Sequence, residues 1–586
     1  MRVSRLSGSA SATVGAVIVA AVSAIQFCSA APLDPEPYHD GSQVAPAIAV
    51  AEGLIIHRQV FDPYGPVTAW LQGLAMTIFG PTVLTARLLT AVLLVMSSVL
   101  MFLIARHLIG RTLYASLITV LWIAIWPGQS ISWGTPLLPW PSVTFLVLQL
   151  SAVLLLLQRL RASEPDLLRM GGVGVFVGLS LLTRPNYGVP LLIAVGLVLL
   201  LVRRSAGLSR GEFSTAAGGL LLSVGIPLLY LALNGALVAF LDQALIGPLT
   251  GESDATSHGT PWFYIKNAYL WGSVPLLLAL VGLVILERSG VRGRWLIRTA
   301  GVLVVGGLLV WTSSGIEGSP VRDLILSKLT WSPALDGQVA QPMFVAAIFA
   351  ILTAAATGVA LVVRAVSRQR TWTAPQRMFT LLVAASAASL VQLYPIADPN
   401  HLWWAVPLPL VLVALMLTTN ANKQVAFWLM MILTVPYLAM SIWSAHGFYS
   451  RPRVELSTGV LKGMMVQEAL LPDYEKVDGL LAGVTPRSAR FLCDQGLFSV
   501  WNGAYLADSP AYVQWVHRMQ SADPSPVPNL VFLCTGLDAG DAATDYARRE
   551  GLAIVQTIPR LGLSYFTSIR IDEMSPDPMS KGTVVP

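Results

Sequence analysis

Charge is scarce in this sequence: Asp, Glu, Lys and Arg make up 12% of its 586 residues, about half the share of an ordinary soluble domain. Whole stretches carry none, among them residues 88–104 and 275–286. Apolar runs of this kind belong in lipid or inside a helix bundle, so an ordinary cytosolic protein is excluded. Cysteine is scarcer still. Three in the chain are too few for a multi-cysteine metal framework or a disulfide scaffold. No phosphate-binding glycine loop, dinucleotide fingerprint or Ser-His-Asp constellation can be read in the sequence. The net charge of +6 would suit a nucleic-acid partner only if the basic residues shared one face. The arginines are instead scattered through short loops, which marks membrane topology and no nucleic acid.

The fold class that follows is an α-helical polytopic membrane protein. Hydropathy gives about 13 transmembrane helices, at residues 13–30, 82–104, 112–127, 139–158, 171–184, 187–202, 214–236, 269–286, 298–313, 342–363, 378–394, 402–419 and 425–443. The first is read as a membrane anchor with the N-terminus in the cytoplasm. Its rival is a signal peptide cleaved near Cys28-Ser29-Ala30-Ala31. With this count, 19 Lys and Arg fall in cytoplasmic segments and 6 on the other side before residue 444, which is the positive-inside pattern of a plasma or inner membrane protein.

Acids run the other way, 12 outside against 4 inside before residue 444. Acids contribute little to topology, so their excess outside asks for a chemical reason. Five of them, Asp34, Glu36, Asp40, Glu52 and Asp62, lie in the first outer loop, residues 32–81. That loop also holds an amphipathic stretch with apolar residues at Val67, Trp70, Leu71, Leu74, Ala75 and Ile78, spaced for a helix lying along the membrane surface. The chain divides into a transmembrane core at 1–443 and a C-terminal extracytoplasmic domain at 444–586. The latter carries 15 of the 31 acids and alternates helix and strand, as in a small α/β sandwich. Its helices are expected at 474–482, 511–519 and 542–549, and its strands at 489–493, 529–534 and 552–558. Cys493 and Cys534 fall at the ends of two of these strands, where pairing is open on geometric grounds.

His39-Asp40-Gly41 after the first helix, the segment from Gly53 to Tyr64-Gly65-Pro66, and Phe79-Gly80 followed by Arg87 together resemble the C-type membrane glycosyltransferases. These include the protein O-mannosyltransferases and the bacterial aminoarabinose transferases. Leu182-Thr183-Arg184-Pro185-Asn186-Tyr187-Gly188 looks like the family's short turn, and Tyr394-Pro395 through Asp398, Asn400, His401, Trp403, Trp404 and Pro407 looks like its late outer-loop motif. One departure matters. Where the mannosyltransferases have an Asp-Glu pair, Asp40 is followed by Gly41, so a second acidic role would fall to Glu52, Asp62 or Asp398.

The resemblance implies inverting transfer of a sugar from a polyprenyl phosphate to an extracytoplasmic acceptor, whether glycan, lipid or protein. Asp40 is then the candidate base, although an Asp in this position also caps a helix. Arg184 is the candidate for the donor phosphate, with His401 beside it in that role; an arginine there also snorkels to lipid headgroups. His39, Tyr64 and Trp403 are candidate acceptor or sugar contacts, while most tryptophans at span ends form an interfacial belt. No cofactor is demanded by the residues. The candidate cofactor is a divalent cation (Mg2+, Mn2+ or Ca2+) bridging Asp40, Asp62 or Asp398 to the phosphate, since the histidine spacing matches no zinc motif. Two other classes compete: a transporter or flippase of lipid-linked glycans, which should show repeats and mid-membrane charges, and an enzyme like the O-antigen ligases, whose long outer loop comes late.

Overall fold

The computed structural model describes residues 2–246 apart from 37–38, 130–136 and 163, then 343, 347 and 357, then 372–482 apart from 394–398 and 458, and four strand segments between 489 and 567. Contacts divide the chain into two compact units. One comprises residues 1–31, 88–231 and 254–451; the other comprises 32–87, 232–253 and 452–586.

The first unit is helical. Its elements are α1 (Arg2–Ala30), most of α4 (Val83–Ile109), α5 (Thr112–Ala124), α6 (Pro141–Arg161), α7 (Leu167–Thr183), α8 (Pro185–Val202) and α9 (Arg210–Leu233), followed by α11 (Ala374–Ser389), α12 (Pro399–Ala405), α13 (Pro407–Asn420) and α14 (Lys423–Tyr449). Among the described residues seven helices are long and apolar enough to cross a membrane, or eight if α12 and α13, bent by 57° at their junction, form one span. The chain is thus an α-helical polytopic membrane protein. The spans expected at 269–286, 298–313 and 342–363 lie outside the described residues.

Breaks between helices follow local sequence. Arg184 precedes Pro185, which restricts it to the extended region (φ −144°, ψ 93°), and Pro185 then starts α8 with its fixed φ. At the start of α14 the Asn422 side chain accepts hydrogen bonds from the Gln424 and Val425 N–H groups. α6 packs on α7, α5 on α14, and α11 on both α8 and α6.

Two devices hold this unit without a hydrophobic drive between helices. Glycines let α7 and α9 touch backbone to backbone: a Cβ on Gly174 would stand 1.9 Å from the Ala216 carbonyl oxygen, and one on Gly219 would stand 2.4 Å from that of Gly171. The second is an ion pair, Arg159 on α6 with Glu212 on α9, both fully buried. Glu212 also accepts the backbone N–H groups of Asp166 and Ser209 at 3.0 and 2.9 Å, so its oxygens are all engaged.

The second unit holds the first loop, with α2 (His39–Ala51) and α3 (Pro66–Phe79), the short α10 (Leu237–Leu241), strands β1 (Arg453–Glu455) and β2 (Met465–Gln467), and α15 (Leu471–Ala482). β1 and β2 pair antiparallel. Beyond them β3 (Ala489–Leu492), β4 (Leu530–Cys534), β5 (Ala553–Ile558) and β6 (Leu563–Thr567) form one sheet in the order β3-β4-β6-β5, with β3 and β4 parallel and the other pairs antiparallel. The strands expected at 489–493, 529–534 and 552–558 are thus present as β3, β4 and β5, and β6 is a strand beyond the sequence reading. The helices expected at 511–519 and 542–549, and Cys493 with its proposed pairing, lie outside the described residues.

The α7–α9 contact yields a test. Replacing Gly174 by Leu should force these helices apart and cost at least the roughly 1–3 kcal/mol of an overpacked core. It should lower the melting temperature in detergent, whereas Gly196→Ala, with no atom within 4 Å of its new Cβ, should not.

Candidate active site

α2 begins at His39, placing Asp40 in its first turn. Asp40 is fully buried, but it is more than a helix-capping residue. Arg87, at the start of α4 and also fully buried, grips it in a fork: Nε donates to Oδ1 at 2.9 Å and Nη2 to Oδ2 at 2.5 Å. The Glu36 N–H donates to Oδ2 at 2.7 Å. Arg87 spends its other donors on backbone, Nη1 on the Leu33 carbonyl at 2.6 Å and Nη2 on the Asp34 carbonyl at 3.2 Å. Burial pushes the Asp40 carboxyl above its ordinary range, while the Arg87 guanidinium and the Glu36 N–H pull it back. His39 bonds through Nδ1 to the Glu36 carboxylate at 2.8 Å.

Segments from after residue 452 complete this cluster. Arg453 on β1 donates to Oδ2 of Asp34 from Nη2 at 2.8 Å and from Nε at 3.2 Å. Met465 on β2 exchanges backbone hydrogen bonds with the loop, its N–H to the Pro32 carbonyl at 2.6 Å and its carbonyl from the Asp34 N–H at 2.7 Å. Tyr474 on α15 is buried, and its phenol is raised, first by burial and then by the charges of Asp34 and Asp40.

Asp62 forms a separate nest. It accepts the Tyr64 N–H on Oδ1 at 2.9 Å, and its own N–H donates to Oε1 of Gln243 at 3.2 Å. Gln243 Nε2 donates to the His57 carbonyl at 3.1 Å, which fixes the amide orientation and assigns the His57 Nδ1 proton to the bond with Oε1 at 3.0 Å. Burial pulls the His57 imidazole down to about 4 and pushes the Asp62 carboxyl up to about 8. His57 adopts a left-handed φ of 66°, unusual for a residue other than glycine. Glu52 is exposed at the other end of α2, about 18 Å along the axis from Asp40 at 1.5 Å per residue.

The remaining predicted residues belong to the first unit. Arg184 is 5% exposed; its Nη1 donates to Ser142 Oγ, and its guanidinium lies 4.1 Å from the Tyr187 ring centroid. His401 packs edge-on against Trp404 and Trp140, at 5.2 and 6.5 Å. Trp403 is stacked on Trp122 with centroids 4.6 Å apart, and each indole N–H donates to the other residue's backbone carbonyl, at 3.1 and 2.8 Å. A cleft beside them is lined by Trp126, Leu138, Val143, Asn400, Trp403 and Trp404. Asp398 lies outside the described residues.

The predicted residues thus form local sets. Asp40 joins Arg87, Asp62 joins Tyr64 and, through Gln243, His57, and Trp403 lines an aromatic cleft whose Trp404 packs against His401. Arg87, Glu36, Asp34, Arg453 and Tyr474 carried no role in the sequence reading. Asp34 and Glu36 had a signal as members of the acidic first loop, and Arg87 as an arginine after Phe79-Gly80 at the head of an apolar span. Among the described residues no three His, Cys, Asp or Glu side chains gather to hold a metal. Arg87 and the Glu36 N–H occupy the Asp40 oxygens, so a divalent cation bound there would displace the fork.

Residues 63–230 match the family described as dolichyl-phosphate-mannose-protein mannosyltransferase. The resemblance to the C-type membrane glycosyltransferases therefore holds over this stretch, which includes Arg87 and Arg184. No curated protein matches the chain. Among solved structures, ArnT from Cupriavidus metallidurans bound to undecaprenyl phosphate is 14% identical, covering 94% of this chain and 98% of its own, with a TM-score of 0.47. The same protein in the apo state is 12% identical, covering 94% and 97%, with a TM-score of 0.44.

Asp62 provides a pH test. Its carboxyl is raised in the folded chain from an ordinary 3.8 to about 8, so its contribution to stability is full below about pH 4 and is lost as pH rises through about 8. Asn keeps an oxygen for the Tyr64 N–H and never ionises. Melting curves of Asp62→Asn should match wild type near pH 4 and lie above it near pH 9. Equal offsets at both values would remove the assignment.

Proposed function

We propose that this chain is a membrane glycosyltransferase that moves a sugar from a polyprenyl phosphate to a hydroxyl acceptor on the extracytoplasmic side, with the N-terminus in the cytoplasm. The observation that carries the reading is the buried Arg87–Asp40 fork at the head of a span, within and beside the stretch that matches the mannosyltransferase family. The reaction needs positive charge for the departing phosphate and a base for the incoming hydroxyl, and this fork holds one of each.

In this reading the acceptor oxygen attacks the anomeric carbon from the face opposite the phosphate. The bond from that carbon to the phosphate oxygen breaks, and its electron pair leaves with polyprenyl phosphate. The configuration inverts. The hydroxyl proton passes to Asp40, whose raised carboxyl suits a proton acceptor. Oδ1 of Asp40 accepts the Arg87 Nε–H and has a second lone pair for the proton, so Arg87 can stay aimed at the carboxylate while its charge faces the departing phosphate. Arg184, with His401, is a second candidate for phosphate or lipid headgroup. His39, Tyr64 and Trp403 are candidates for the sugar or acceptor, and Glu52, Asp62 and Asp398 for a second acid or a cation. The sugar, hexose or pentose, is open.

A second reading is favoured by the fork itself. Both Asp40 oxygens are engaged by Arg87 in the resting chain, so Asp40 also serves as the anchor that aims Arg87.

Purified protein incubated with a panel of polyprenyl-phosphate sugars and a hydroxyl acceptor tests both. Wild type should release polyprenyl phosphate with at least one donor, and Asp40→Asn should lower the rate by about 10²-fold or more, as loss of a general base does. An Asp40→Asn rate within a few-fold of wild type would leave Asp40 as anchor only. Failure of wild type with every donor would sink the function. Turnover that survives a chelator assigns the phosphate charge to arginine, and turnover lost to it assigns that charge to a cation.

A further inference from the structure

The role of the segment that follows the last membrane helix is open in the sequence, and the geometry around Asp34 supplies one. Asp34 has a left-handed φ of 41°, a conformation uncommon outside glycine that Asp and Asn enter more readily than most residues. In that conformation its carbonyl faces Arg87 Nη2 at 3.2 Å, alongside the Leu33 carbonyl on Nη1 at 2.6 Å. Its carboxylate is held from the other side by Arg453, at 2.8 and 3.2 Å. That pair is largely shielded, with 5% of the Arg453 side chain and 13% of the Asp34 side chain exposed, so it is worth more than a surface ion pair. Met465 clamps the same three residues through the carbonyl of Pro32 and the N–H of Asp34. The isolated bridge between Leu33 and Met465 is parallel.

We propose that Arg453 is a positioning residue for the Arg87–Asp40 site: by gripping Asp34 it holds the two backbone carbonyls that aim the Arg87 guanidinium at the Asp40 carboxylate. The inference rests on the function proposed above. On this account the segment 452–482 is part of the catalytic loop's own framework. It fixes a guanidinium through backbone, one step removed from the reacting atoms. The groups facing the fork are Asp34, Glu36, Arg453 and Tyr474; the Arg453 side chain grips the Asp34 carboxylate while the Met465 backbone holds its N–H.

The test uses the full-length protein, with variants Arg453→Ala, Arg453→Lys, Asp34→Asn and the double variant Asp34→Asn/Arg453→Ala. Asn tolerates a left-handed φ, so Asp34→Asn removes the charge and leaves the backbone its freedom. For donors that wild type turns over, Arg453→Ala should lower kcat about tenfold and leave the donor KM within about twofold, and Arg453→Lys should restore most of the loss. The double variant should be no worse than either single one, because both remove the same contact. The acidic limb of the pH–rate profile should move to higher pH in Arg453→Ala, since a loosened Arg87 lowers the Asp40 carboxyl less. An unchanged kcat and acidic limb, or additive losses in the double variant, overturns the proposal.

If wild type turns over no donor, the functional reading fails and hydrogen exchange decides the clamp. The Asp34, Glu36 and Asp40 amides donate to Met465, Asp40 and Glu36. They should exchange faster in Arg453→Ala and Asp34→Asn, and at the wild-type rate in Arg453→Lys. Equal exchange in all four proteins overturns it. Should Arg453→Ala fail to fold, Asp34→Asn carries the same comparison.

Discussion

Arg87 has no exposed surface, so its N–H groups need oxygens that water cannot supply. The first loop provides four acceptor contacts. Two come from Asp40 in the first turn of α2, and two from the Leu33 and Asp34 carbonyls, which a regular helix or strand would not turn toward one side chain. Removing one member of such a buried pair costs about 3–5 kcal/mol, because the other is left without a counter-charge. The position of α2, the left-handed Asp34 and the pairing of residues 32–34 with β2 all follow from satisfying this one guanidinium.

Scarcity of charge makes each buried ion informative. Arg159 and Glu212 obey the same rule between α6 and α9, where the carboxylate also takes two backbone N–H groups. Arg184 is buried differently, against a hydroxyl and an aromatic ring. The two arginines thus differ in what is seen to hold them: Arg87 is forked onto a carboxylate within its own loop, whereas Arg184 meets a serine hydroxyl and the face of a tyrosine.

The membrane helices were legible because lipid imposes a long apolar run on each, and the α7–α8 break was legible because Pro185 dictates the conformation of Arg184. α2 could be read from Asp40 as a helix-start residue, and α3 from its apolar spacing at Val67, Trp70, Leu71, Leu74, Ala75 and Ile78. Asp40 stood out as an acid in a chain that has few. What could not be read were the partners. Arg453 meets Asp34 across 419 residues, Gln243 meets His57 across 186, and Tyr474 lies on a helix whose residues suit any surface. No periodicity links such positions, since the contacts arise from folding and not from local spacing. β6 escaped because Ser564 and Thr567 interrupt its apolar residues, and Gln243 because a neutral amide gives no signal of its own.

Trp122 and Trp403 each donate an indole N–H to the other's carbonyl across 281 residues of chain. In hydrocarbon such groups find no water to bond. Until residue 403 is made, the Trp122 indole N–H and carbonyl lack the partners they have in the folded bundle. A chain truncated before residue 403 retains most of its apolar helices and lacks the contact that completes α5.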